Sequence, residues 1–264
     1  MRLDKRKTCI CITLIIIVLL LLYEIVGIEF FAGEIADEKL KNGTDITVTR
    51  LLGGVVFLVL VAYSGYRVLD PIKKPFWRSL LFCLPAFAVA VNNLPIYSLV
   101  GGYAEVTSPL WRVLLLALEC FAVGLFEECC FRGFVFIGFL EKRRSDLRGR
   151  FLAIVYSSAV FAAVHIINIF LGASPVAVLM QLGYSFLIGA MCAVMLMKSS
   201  NIWLCVAAHG IFNFCGALVP TCGEGSIWEP FTIVLTVVVS LIVTAYFVLT
   251  FINIEENECD RLYK

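Results

Sequence analysis

Charge is scarce in this sequence. Of 264 residues, 16% are charged and 61% hydrophobic, with a mean hydropathy of +0.96. A soluble domain carries about 25% charged residues, so the composition excludes an ordinary water-soluble fold. The formal net charge is +1, which leaves no global field to attract a polyanion, and nucleic acid is not an expected partner. Histidine is scarcer still: there are two, His165 and His209. The H-E-x-x-H zinc motif is missing, as are internal repeats, inverted-repeat patterns and long linkers. Cysteine is not scarce, with eleven residues, but only Cys222 falls in a segment expected on the outer side. One outer cysteine cannot make a disulfide framework. Cys129 and Cys130 read as small apolar packing residues.

What remains is apolar sequence in membrane-length runs. A helix crossing about 30 Å of hydrocarbon needs roughly 20 mostly apolar residues. Eight segments qualify: about 9–33, 51–69, 77–100, 110–140, 150–172, 175–198, 201–219 and 229–253. The expected fold is therefore all-α and polytopic, a bundle of about eight transmembrane helices around a polar intramembrane cavity. It reads as a single membrane domain over 1–264, with a motif-bearing core at about 110–219. The first run is too long for the apolar part of a signal peptide and lacks a clear cleavage site, so it is expected to stay as a helix. The fourth exceeds the thickness of a bilayer and should tilt, kink or project, with Gly124 and Gly133 as its weak points. Residues 34–50 read as a polar, exposed outer loop.

The few ionisable groups at membrane depth carry the functional signal, because each costs about 2.5 to 3.5 kcal/mol to insert. Glu127, Glu128 and Arg132 lie in the fourth segment, His165 in the fifth and His209 in the seventh. Glu128 and Arg132 stand four apart on one helical face and should pair. That leaves Glu127 to accept and return a proton. His209 and Asn213 are also four apart, a spacing at which both can donate to one oxygen. At about 1.5 Å per residue, Glu127, His165 and His209 lie roughly 21, 22 and 17 Å from the inner ends of their helices. Helices running in different directions thus place their polar groups in one layer. Glu119 is a weaker candidate for the site, and Asn92, Asn93 and Gln181 read as helix-packing residues.

The three motifs EECCFR (127–132), FAAVH (161–165) and HGIFN (209–213) resemble those of the CPBP family of intramembrane proteases, also called the CAAX-protease and bacteriocin-processing or Abi family. The resemblance implies an endopeptidase acting on a membrane-associated, prenylated or leader-type peptide. It implies Glu127 as the catalytic glutamate that activates water and His165 as the group that helps orient or deprotonate it. His209 and Asn213 would stabilise the oxyanion, with Arg132 and Glu128 in support and no metal or other cofactor. Two alternatives keep the same residues: a zinc peptidase built on Glu and the two His, and a non-enzymatic immunity or scaffold protein. The implied partners are a peptide or protein substrate and the lipid bilayer.

Basic residues set the expected orientation. With the N-terminus inside, the inner flanks hold 16 Lys and Arg and the outer flanks hold four, Lys39, Lys41, Arg50 and Arg112. The positive-inside bias then puts both termini in the cytoplasm of a multi-pass protein. A cysteine placed in the 142–150 loop, with the native exposed thiols removed, is expected to react with an impermeant reagent only after permeabilisation. Labelling of intact cells would reverse the topology.

Overall fold

The structure is a computed structural model that describes residues 2–26, 38–69, 76–143 and 146–263. Among these, six helices are long and apolar enough to cross a membrane. They are α1 (Arg2–Val26), α2 (Glu38–Ser64), α7 (Leu147–Ala163, continued by a 3₁₀ turn Val164–Ile169), α8 (Pro175–Ser199), α9 (Ile202–Cys222) and α10 (Pro230–Ile252). The two other apolar segments are also helical. One is α3 (Phe76–Asn92), which is shorter because Pro95 separates it from the one-turn α4 (Ile96–Val100). The other winds continuously from α5 (Leu110–Glu127) through a π-helical stretch (Glu128–Phe136) into α6 (Ile137–Lys142).

Two sequence expectations change here. Residues 38–50 are not loop: α2 begins at Glu38, so Arg50 lies inside a candidate span. The polarity that suggested a loop is absorbed within the helix. Thr44, Thr47 and Thr49 donate their hydroxyls to the carbonyls of Leu40, Gly43 and Asp45 at 2.7–2.8 Å, the i−4 bond that hides a hydroxyl on a helix. The irregularity in the fourth segment is a change of winding that contains Gly133, whereas Gly124 stays in regular α-helix. Of the basic flank residues, Lys73, Lys74, Arg144 and Lys264 lie outside the described residues.

One end of the bundle is tied by a polar knot. Arg6 pairs with Glu141 and donates to the Ser64 and Tyr263 carbonyls. The Tyr66 hydroxyl donates to Glu141 at 3.1 Å, Lys198 pairs with Glu258 at 2.9 Å, and Arg150 donates to the Ile254 carbonyl. The C-terminal segment, which includes α11 (Glu256–Asp260), thus ties to α1, α7, α8 and the turn after α2. At the other end β1 (Ala104–Val106) pairs antiparallel with β2 (Gly223–Gly225) and holds the loop before α5 to the end of α9. Between the ends, Asn92 donates to Thr236 and Asn93 to the Phe212 carbonyl, both between helices.

Arg6 is 8% exposed, and removing one partner of a buried pair strands the other. Arg6→Met is expected to lower unfolding stability by about 3 kcal/mol, read as a drop in the melting temperature of the detergent-purified protein, with Arg6→Lys intermediate. An unchanged melting temperature would mean that the knot does not hold the bundle together.

Candidate active site

The acidic motif occupies the junction of α5 and the π-helical stretch. Glu128 is fully buried and Arg132 is 2% exposed. Arg132 Nε lies 3.0 Å from Glu128 Oε2, although the pair is out of hydrogen-bond line. π-Helical turns are rare and recur at functional sites; here the whole run from Glu128 to Phe136 takes this winding.

Helix α9 brings His209, 4% exposed, against both carboxylates. Its Nδ1 is 2.7 Å from Glu128 Oε1 and its Nε2 is 3.4 Å from Glu127 Oε2. Glu128 is therefore shared between Arg132 and His209, which corrects the expectation that it serves Arg132 alone. The spacing within one helix predicts the first contact; the second comes from another helix and has no local signature. A carboxylate accepts, so Nδ1 carries a hydrogen and donates to Glu128, and Nε2 faces Glu127. Glu127 keeps 17% of its side-chain surface accessible and Glu128 none. The inner carboxylate is locked and the outer one can be reached.

This approach requires small residues. A Cβ on Gly124 would stand 3.0 Å from the Val206 carbonyl oxygen and 3.2 Å from the Gly210 nitrogen. A Cβ on Gly210 would meet the backbone of Cys120 and Phe121 at 3.4 Å, an ordinary contact, so the tight position is Gly124. Close helix contact through glycine is the usual membrane solution, and it delivers His209 to the carboxylates.

Phe161 on α7 joins the groups. Its ring, 1% exposed, packs 4.4 Å from the Arg132 guanidinium and has the rings of Phe131, His165 and His209 at 4.9, 5.2 and 5.8 Å. His165 sits on the 3₁₀ turn, half-buried, and its Nδ1 donates to the Phe161 carbonyl at 3.0 Å. That bond places a hydrogen on Nδ1, so in the neutral imidazole Nε2 is the acceptor. Asn168 on the same turn donates to Gln181 of α8 at 2.7 Å. Asn213 is half-buried, one turn beyond His209. The structure thus brings Glu127, Glu128, Arg132 and His209 into direct contact, with His165 joined through Phe161 and Asn213 on the same helix as His209.

Sequence reasoning missed two neighbours. Arg50 of α2 stacks on Phe126 at 5.2 Å and lies within electrostatic range of Glu127. Tyr184 of α8 packs on Phe212 at 5.8 Å and also lies within electrostatic range of Glu127. An arginine inside a threonine-rich helix start was the available signal for the first; the second had none. Glu119 lies apart from this centre, in a recess lined by Gly43, Arg112 and Cys222. Glu127, His165 and His209 do not group at metal-ligand spacing among the described residues.

Residues 109–215 match the model of the family described as Type II CAAX prenyl endopeptidase Rce1-like. No curated protein and no solved structure matches the chain. The match covers under half of the chain, and together with the six apolar helices it supports an integral membrane protein.

The two carboxylates should separate on mutation. Glu128→Gln leaves Arg132 as an uncompensated buried charge and is expected to cost about 3–5 kcal/mol of stability. Glu127→Gln, at the accessible position, is expected to cost less than about 1 kcal/mol. Thermal or denaturant unfolding of both variants measures the difference; equal losses would refute the division between a locked and a reachable carboxylate.

Proposed function

From a motif-bearing segment that matches the Rce1-like type II CAAX prenyl endopeptidase family, we propose that this chain hydrolyses a peptide bond of a membrane-associated, prenylated or leader-type peptide, by water activated at Glu127. The observation that carries the reading is the imidazole of His209 held between two carboxylates of unequal accessibility. Glu128 orients His209 from behind, in turn held by Arg132. Glu127, in front, exchanges a proton with Nε2 and with whatever enters the site.

The reaction then balances without a covalent intermediate. Glu127 takes a proton from water as the water oxygen attacks the carbonyl carbon. His165 Nε2, left as an acceptor by the bond at Nδ1, orients that water. The oxyanion receives hydrogen bonds from the amide of Asn213 and from protonated His209. The tetrahedral intermediate collapses as Glu127 passes its proton to the leaving amine nitrogen. Protein dipoles fixed before reaction cost no reorganisation in the transition state, which is why such donors act mainly on kcat. Arg50 of another helix lies within electrostatic range of Glu127. Both termini are cytoplasmic in this reading, so the polar knot formed by Arg6, Glu141 and Tyr263 marks the cytoplasmic end.

Glu127→Gln is expected to abolish cleavage of a prenylated peptide by the purified, folded protein. His209→Ala and Asn213→Ala should each lower kcat by about 10²- to 10³-fold with little change in KM. Activity should survive stringent chelation. Full activity in Glu127→Gln would sink the glutamate mechanism, and loss on chelation with recovery on added zinc would replace it with a metallopeptidase.

A further inference from the structure

Behind the carboxylate–imidazole chain lies a pair of thiols that hydrolysis does not use. Cys192 of α8 and Cys205 of α9 are both fully buried. The Cys205 thiol donates to the Cys192 carbonyl at 3.3 Å. Their sulfurs and a carboxylate oxygen of Glu128 all lie within 4.8 Å of one another. Cysteines of this kind often serve as small apolar packing residues. One further observation sets this pair apart. Both terminal nitrogens of Arg132, and Oε2 of Glu128 beside them, are buried without a hydrogen-bond partner. A buried guanidinium with unused donors is a strongly unfavourable arrangement, and Arg132 lies within electrostatic range of both sulfurs.

We propose that Cys192, Cys205 and Glu128 form a binding site for a soft divalent cation of the zinc class. Two thiolates and a carboxylate are ligands that zinc accepts, at about 2.3 Å to sulfur and 2.0–2.2 Å to oxygen. Around one tetrahedral ion those bond lengths place ligand atoms about 3.5–3.8 Å apart. A set already inside 4.8 Å closes on an ion by a contraction of about 1 Å or less, within reach of side-chain rotation. Charge also balances. The ion brings two positive charges and the thiols release two protons, so the cluster with Glu128 and Arg132 keeps its net charge. Arg132 then has thiolate sulfurs for its unused donors, the outer-layer support that metal ligands commonly receive.

The site does not depend on the peptidase reading, because it rests on the cluster alone. It bears on that reading through Glu128, whose other oxygen holds His209: a bound ion and His209 would draw on the same carboxylate. Cys205 lies one turn from the start of α9.

The test uses the full chain in detergent, stripped with a chelator and titrated with cadmium as the probe. The expected result is an ultraviolet sulfur-to-cadmium charge-transfer band that saturates at one ion per chain. The band should vanish in Cys192→Ser/Cys205→Ser and persist in Cys215→Ser. No band in the wild type, or a band that survives in the double variant, overturns the proposal. Should the double variant fail to fold, alkylation of the folded wild type with and without cadmium, mapped by mass spectrometry, decides the matter. Selective protection of Cys192 and Cys205 supports the site; equal labelling with and without the ion refutes it.

Discussion

The buried Glu128–Arg132 pair is the constraint on which the rest of this centre depends. A guanidinium 2% exposed in a bundle with little polar surface requires a negative partner close by, and Glu128 on the preceding turn supplies it. Once Glu128 is fixed, its second oxygen fixes His209 and selects which imidazole nitrogen faces Glu127. Phe161 closes the arrangement by covering the guanidinium with its ring face while its edges meet both histidines. In a low dielectric each of these contacts is stronger than it would be in water, and each missing partner is correspondingly more costly. That coupling gives the centre its order.

Two adjacent glutamates thus end in opposite roles for reasons outside their own chemistry. Glu128 faces inward, where one oxygen accepts from His209, the other lies beside Arg132 and no solvent reaches it. Glu127, one residue earlier, turns toward the accessible side, with His209 at 3.4 Å and Arg50 within electrostatic range. A single carboxylate could not be both immobile enough to orient an imidazole and open enough to exchange a proton with substrate and water. The doubled glutamate divides the two tasks.

Backbone approach makes this possible. Helices α5 and α9 approach closely at Gly124, where a side chain would press on the α9 backbone beside His209. The π-helical stretch after Glu127 is buried at every residue but Val135. The polar knot at one end and the short β1–β2 pair at the other fix the helix ends. The site lies between these ties, on elements that have little freedom to shift.

The sequence by itself determined the apolar segments, the contact between Glu128 and Arg132, and the presence of three polar motifs on three membrane helices. These are local properties: hydropathy is additive along the chain, and residues four apart on one helix meet whatever the helix packs against. It misplaced Arg50, because threonines that bond their own helix look like loop polarity when read as letters. Tertiary structure alone decided that His209 bridges both glutamates, that Phe161 links the two histidines, that His165 stands on a 3₁₀ turn with its Nδ1 engaged, and that Cys192 and Cys205 meet behind Glu128. Each of these depends on how closely two helices approach and how each is rotated about its axis. That is set by small residues and by packing across the whole bundle, and no short stretch of sequence contains it.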